Sequence, residues 1–343
     1  MKFLAEYIWL DSSGNLRSKS KTIDFYINNM EEVLNLNIYE EWECYNYSET
    51  TKIENNDLEI IILKPCAVFP DPFRKEPNVL LLCSTYDLEN NPLENNYREQ
   101  SQTILKQINH LQPLFILEQQ FLIMENCPCC PNKISNKPYG FKDSNESVLI
   151  NTNQHYCSIG SNNAFGRKIS EQAFHSCLEA GINVLSINSH IHPSQWEIQV
   201  GPDNGLNVSD HLLIVRYILL RIGELFNTQI SFNNINYRKN SIISNCYINY
   251  STIDMRNNIK NVYETFIKLC DNQIEQKFKE KLEIINNSNS STLDFTEISQ
   301  ISTNIKIPYK TFKNKKGFIQ DRRHSANINP YLVTSEICFN AHS

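Results

Sequence analysis

Apolar and polar residues alternate from Phe3 to Leu10, the period of a strand, and Asp11–Asn15 (DSSGN) supplies a turn after it. Leu58–Leu63 and Val79–Thr85, rich in Ile, Leu and Val, predict two further short strands. Between them, Pro70 and Pro72 in Ala67–Arg74 predict irregular chain, since proline withholds a ladder donor. Residues 1–95 therefore read as a small, mainly β unit. Ile104, Leu105, Ile108 and Leu111 recur at helical spacing over Gln100–Leu111. Phe115–Met124 (FILEQQFLIM) returns to strand period, which places Glu118 and Gln120 on one face. Cys127–Pro131 is a loop. A helix over Lys168–Ala180 buries Ile169, Ala173, Phe174, Cys177 and Leu178 and ends at Gly181.

Ser194–Val200 alternates again, so Glu197 and Gln199 share one face while Trp196 and Ile198 share the other. Pro193 precedes this run, and Gly201–Pro202 is expected to close it with a turn. Ser209–Leu225 is apolar nearly all round, a core helix. Met255–Ile285 has one long amphipathic pattern carrying Ile259, Val262, Phe266, Cys270, Ile274, Phe278 and Leu282. Strands near Gln229–Phe232, Cys246–Tyr250 and Asn304–Pro308 complete an antiparallel sheet flanked by helices, an α+β architecture without internal repeats. Residues 96–343 form its larger unit.

Composition narrows the class. The 343 residues suffice for one large or two ordinary domains. A net charge of −6 gives no reason to expect nucleic acid, and no polybasic run suggests a membrane surface. No apolar run has spanning length, and Met1-Lys2 leads straight into a strand rather than a signal peptide. The eleven cysteines, scattered through the chain, then imply reduced thiols in the cytoplasm. Cys127, Cys129 and Cys130 could hold a soft metal, but no second Cys/His pair stands at zinc-finger spacing. Asn286–Ser291 reads as compositional bias. With nine glycines, the chain shows no P-loop and no dinucleotide fingerprint.

The stretch Asn188–Pro202, NSHIHPSQWEIQVGP, resembles the glutamine synthetase motif E-V-M-P-x-Q-W-E-x-Q-x-G-P, with His190 where that family has its first glutamate. Further blocks follow in family order: YCSIG…AFGRKI, CLEAGI, SDHLLIVRYIL, INYST, KGFIQDRR and NPYLVTS. AEYIWLDSSGNLRSKSKTID and KPCAVFPDPFRKEPNVLLLCSTYD resemble the family's amino-terminal β-grasp domain. The resemblance, to the eukaryotic type, covers nearly the whole chain. It implies a funnel walled by antiparallel strands, in which ATP phosphorylates glutamate and ammonia displaces the phosphate, with Mg²⁺ or Mn²⁺ clamping the phosphates.

Carried over position by position, one metal cluster of that family becomes Glu118, Tyr247 and Gln320, and the other Gln120, His190 and Glu197. Five carboxylates become two, so the formal charge of the cradle falls from about −5 to about −2, poorly suited to a hard divalent ion. The glycine-rich nucleotide loop becomes Ile242–Tyr247 (IISNCY), where two β-branched side chains replace access for the ligand. The flap region, about Glu283–Asp294, carries neither the family's arginine nor its glutamate, and the family's Asn-Arg becomes roughly Gln300-Ile301. A substrate arginine becomes Lys306, which cannot form a bidentate fork. The latch that a neighbouring subunit contributes reads Tyr45-Asn46-Tyr47-Ser48-Glu49, with Asn46 in place of its aspartate.

Trp196, Gly201-Pro202, Arg216, Asp321, Arg323 and Pro330-Tyr331 remain as scaffold, and Arg322 matches a phosphate-contacting arginine. Such changes imply a pseudoenzyme: no catalytic set intact, no cofactor, and a structural, binding or regulatory role. The alternative is an active, divergent synthetase using Mg²⁺ or Mn²⁺ with ATP. Two imidazoles and a carboxylate, His190, His192 and Glu197, would suit Zn²⁺ if the segment is extended. The chain begins at the first strand and ends soon after VTS, so a monomer or smaller oligomer is expected rather than a ring decamer, with a protein partner or larger assembly left open.

Overall fold

The computed structural model describes residues 1–25, 30–46, 59–126, 137–140, 154–237, 240–270, 276, 301–302 and 304–342. The Cys127–Pro131 loop, Tyr47–Glu49 of the latch, the Glu283–Asp294 flap region, Asn286–Ser291 and Gln300 lie outside the described residues.

The first sheet comprises β1 (Lys2–Leu10), β2 (Leu16–Asp24), β3 (Trp42–Tyr45), β4 (Ile60–Pro70) and β5 (Val79–Tyr86) in the order β2-β1-β5-β4-β3. Only β1 and β5 run parallel. Alternate residues of these two strands serve different interiors. Phe3, Ala5, Tyr7, Trp9, Val79 and Leu81 pack with Val33 and Tyr39. Ile8, Leu80 and Leu82 join the larger core beneath.

The prolines do not end β4, as the sequence suggested. Beyond Leu63 the strand has no β3 neighbour, and its register against β5 shifts between Pro65 and Ala67. On an open edge a missing N–H costs the ladder nothing, so Pro65 and Pro70 are accommodated.

Next come α1 (Tyr97–Gln107), β6 (Leu114–Glu125), α2 (Arg167–Glu179), β7 (Val184–Ser189), β8 (Gln195–Asp203), α3 (Gly205–Leu225) and β9 (Thr228–Ser231). The hairpin β10 (Ile235–Tyr237) and β11 (Asn240–Ile242) leads to β12 (Cys246–Ser251), α4 (Ile253–Asn257) and α5 (Ile259–Leu269). β13 (Ile305–Lys306), a helix at Tyr309–Asn314, β14 (Ile319–Asp321) and a helix at Pro330–His342 complete the order. The second sheet is antiparallel throughout, β13-β14-β12-β6-β8-β7, with β9 added beside the far end of β6. Its apolar face, including Phe115, Leu117, Phe121, Trp196, Ile198 and Ile248, packs on α2, α3 and α5 in one core. The α+β architecture is as the hydrophobic pattern indicates.

Three local expectations are corrected. β8 continues through Gly201-Pro202 to Asp203 instead of turning there. Gly201 has φ +112°, and a Cβ would lie 2.4 Å from the Phe115 carbonyl oxygen, so glycine lets β6 and β8 approach where the register shifts. Leu178 is 49% exposed rather than part of the α2 stripe, which Ser170 and Ser176 share instead. The pattern from Met255 is split: α4 stops at Asn257, and Asn258 adopts extended backbone and caps α5 through the Lys260 N–H. No described helix is long and apolar enough to cross a membrane.

Candidate active site

Strand pairing alone assembles the face that matters. Lys306 pairs with Gln320, and Gln320 with Asn249. One step along β12, Tyr247 pairs with Glu118, and Gln120 on β6 pairs with Glu197 on β8. Cross-strand partners point the same way, and a side chain two residues on keeps that direction. Glu118, Gln120, Glu197, Tyr247, Gln320 and Lys306 are thus drawn from five strands onto the face opposite the core. Asn46 is elsewhere: it follows β3 of the other sheet, where its amide donates to Glu59 Oε2 at 2.8 Å.

The hydrogen bonds on this face have a forced direction. The backbone N–H of Asn245 donates to Gln120 Oε1 at 2.9 Å, which fixes the Gln120 amide without ambiguity. Its NH₂ therefore faces Glu197 Oε2 at 3.1 Å and His190 Nε2 at 3.2 Å. Likewise Gln195 Nε2 donates to the Ile243 carbonyl at 2.8 Å, leaving its Oε1 to accept from His190 Nδ1 at 3.1 Å. His190 is thereby a neutral imidazole protonated at Nδ1, with Nε2 accepting. Burial, which lowers its pKa, acts in the same direction.

Glu118 is held from both sides. Asn249 Nδ2 donates to one oxygen at 2.7 Å and Gln320 Nε2 to the other at 3.2 Å. The Gln320 amide is in turn oriented by Arg322 Nε, which donates to its Oε1 at 2.5 Å. The Arg322 guanidinium lies 5.0 Å from the Tyr247 ring centroid. Burial raises the pKa of both Glu118 and Glu197, with Arg322 opposing the shift in each. Neither Arg322 nor Lys306 forms an ion pair among the described residues.

N–H donors therefore stand where the carboxylates would otherwise meet a cation. Glu118 is satisfied by two amides and Glu197 by one, and the oxygen of Gln120 is turned away onto backbone. Alternation along β12 and β8 would have disclosed Asn249, two residues from Tyr247, and Gln195, two from Glu197. The backbone donor at Asn245 left no sequence signal.

The segment carrying His190 and His192 is not extended. It turns back on itself through bonds from His190 N to Gln195 O and from Gln195 N to His192 O. Among the described residues, His192 Nδ1 is buried without a hydrogen-bond partner, and no three His, Cys, Asp or Glu side chains gather as a metal group. The turn removes the i, i+2 alignment on which the zinc arrangement rested. Of the two isoleucines expected to crowd the nucleotide loop, Ile243 projects outward, 53% exposed. Ile242 is buried with Leu122 and Met124, so one β-branched side chain rather than two faces the opening.

No protein-family model matches the chain. Human glutamine synthetase is 31% identical to it over 350 residues, covering 98% of this chain and 89% of the relative. The enzyme of Candida glabrata is 30% identical over 352 residues, covering 98% and 88%. Among solved structures, the glutamine synthetase of Plasmodium falciparum superposes with a TM-score of 0.67 at 14% identity, over 99% of this chain and 71% of that one. Similarity of this extent, running through both sheets and the polar face between β13 and β8, establishes that the chain belongs to the glutamine synthetase family.

Proposed function

We propose that this chain retains the family fold without glutamate–ammonia ligase activity and acts through binding, regulation or assembly, in the cytoplasm. The observation that carries the reading is the orientation of Gln120. Its NH₂, locked by the Asn245 N–H, is directed at Glu197. A carboxylate that shares an oxygen with an internal donor has less to offer a hard divalent ion, which binds oxygen and gains most from anionic charge. At the family's metal positions this chain offers Tyr247, Gln320, Gln120 and a neutral His190, so Mg·ATP or Mn·ATP finds a weak cradle. We assign residues 1–95 to a β-grasp-like domain and 96–343 to a catalytic-like domain, and leave homo-oligomerisation open within this proposal.

Calorimetric titration with Mg·ATP and Mn·ATP, alongside a synthetase assay on the same sample, tests the reading. Absence of both metal-nucleotide binding and turnover is the expected result. Turnover would overturn it in favour of a divergent, active synthetase.

One observation favours a second reading, a metal-independent sensor: Arg322 and Lys306 line the same face without an ion pair among the described residues. Glutamate or a nucleotide binding equally well with and without EDTA would support it.

A further inference from the structure

A cavity of about 940 Å³ opens between the Asp11–Asn15 turn, one side of α3, β9 and the Asn327–Pro330 segment. It is separate from the face described above. Gln119, whose side chain points opposite to Glu118 and Gln120, stands between the two by bonding Arg216 in the cavity wall.

Arg216 is the unusual member. It is 8% exposed, yet all its hydrogen bonds go to uncharged oxygens: Gln119 Oε1 from Nε and Nη2 at 2.9 and 2.7 Å, Ile328 O at 2.8 Å and Ala326 O at 2.9 Å. No carboxylate pairs with it among the described residues. Asp11 and Glu224 line the same cavity, but each is held at 2.8 Å by another arginine, Arg17 and Arg221 respectively. A buried guanidinium without a counter-charge is costly, and burial pulls its pKa down to about 10. The remaining wall is mixed: Leu213, Leu220 and Ile230 supply apolar surface, the Phe232 ring lies 5.4 Å from the guanidinium, and Asn233 and Asn329 supply amides.

We infer that this cavity is a binding site for a small organic anion with an apolar body, its acidic group compensating Arg216 and its body lying against Phe232 and the leucines of α3. Its volume falls within the range that small-molecule sites occupy, roughly 300–1,000 Å³. The opposed demands of one unpaired cation and an apolar wall exclude a bare inorganic ion as the best fit and disfavour a neutral lipid.

Fluorescence titration of the full chain with 8-anilinonaphthalene-1-sulfonate and with its uncharged analogue N-phenyl-1-naphthylamine tests the site. Two variants locate it without touching Arg216, which the core requires. Asn329→Asp adds a negative charge in the cavity while preserving the acceptor for the Tyr331 and Leu332 N–H groups. Leu220→Trp fills the space. The sulfonate is expected to bind saturably at one site, about tenfold tighter than the neutral analogue. Asn329→Asp should weaken the sulfonate about tenfold and leave the analogue unchanged, and Leu220→Trp should weaken both. No saturable sulfonate binding below about 1 mM, equal affinity for the two probes, or insensitivity to Asn329→Asp would each overturn the proposal. The ligase assay is unaffected by these outcomes, so the two readings fail separately.

Discussion

Gln120 donates an amide hydrogen to Glu197 Oε2 at 3.1 Å, across adjacent strands of the second sheet. The bond couples the only carboxylate of β8 on this face to a side chain whose orientation the backbone of Asn245 dictates. Replacing the donor should therefore be felt at once.

Gln120→Glu places two carboxylates against each other in a buried site and removes the acceptor–donor match with His190. Thermal unfolding in EDTA should show a loss of about 2–3 kcal/mol at pH 8. Millimolar Mn²⁺ should recover part of that loss in the variant and leave the parent unmoved. An unchanged midpoint in EDTA would show that the two side chains are not in contact.

Glu197→Gln probes the pH dependence. Burial raises the Glu197 pKa, so the folded state holds this proton more tightly than the unfolded chain does. Its favourable contribution is full below the unfolded carboxyl value and is lost as pH rises through the raised folded value. The variant should exceed the parent in stability by about 1 kcal/mol at pH 7.5, with the difference closing near pH 4. Calorimetric scans at both pH values decide it; a constant difference would place the effect in packing.

His192 governs the acid side. Burial, then the neighbouring His190 and His155, lower its pKa from 6.5 to about 4. Stability from the neutral ring is present above the unfolded value and lost as pH falls from 6.5 towards 4. His192→Phe should flatten this limb by about 1–2 kcal/mol in urea unfolding followed over that range. A parallel limb in the variant would assign the loss to other groups.

Gly201→Ala should cost more than the usual penalty for a glycine replaced in a strand. Its Cβ would meet the Phe115 oxygen at 2.4 Å with φ at +112°, so β6 and β8 must separate locally. A loss of about 3 kcal/mol is expected, together with altered side-chain amide signals from Gln120 in NMR spectra. Unperturbed Gln120 signals would show that the register of β8 does not depend on this contact.

How much of this was legible beforehand differs by residue. Period-two alternation placed Glu118 with Gln120 and Glu197 with Gln199, because a strand buried on one face leaves little freedom of register. The family resemblance supplied which strands meet. Alternation failed at His190–Pro193, where backbone bonds between His190 and Gln195 and between Gln195 and His192 fold the segment into a turn. Proline also misled at β4, since composition does not tell which edge of a strand lacks a neighbour. The direction of each amide could not be read at all. It follows from one backbone N–H at Asn245 and one carbonyl at Ile243, groups that every sequence contains alike.

That chain of donors, from Asn245 through Gln120 and His190 to Gln195 and the Ile243 carbonyl, has a consequence for substitution. Each member accepts from one neighbour and donates to the next, so a single exchange leaves two lone pairs, or two hydrogens, confronting one another. A carboxylate placed at position 120 faces both Glu197 and the lone pair of His190; one placed at position 190 loses the proton that Gln195 accepts. At these two positions a one-step change to a carboxylate therefore passes through a less stable protein. The relay thus works as an interlock, tolerant of change on the surface while resisting single exchanges at positions 120 and 190.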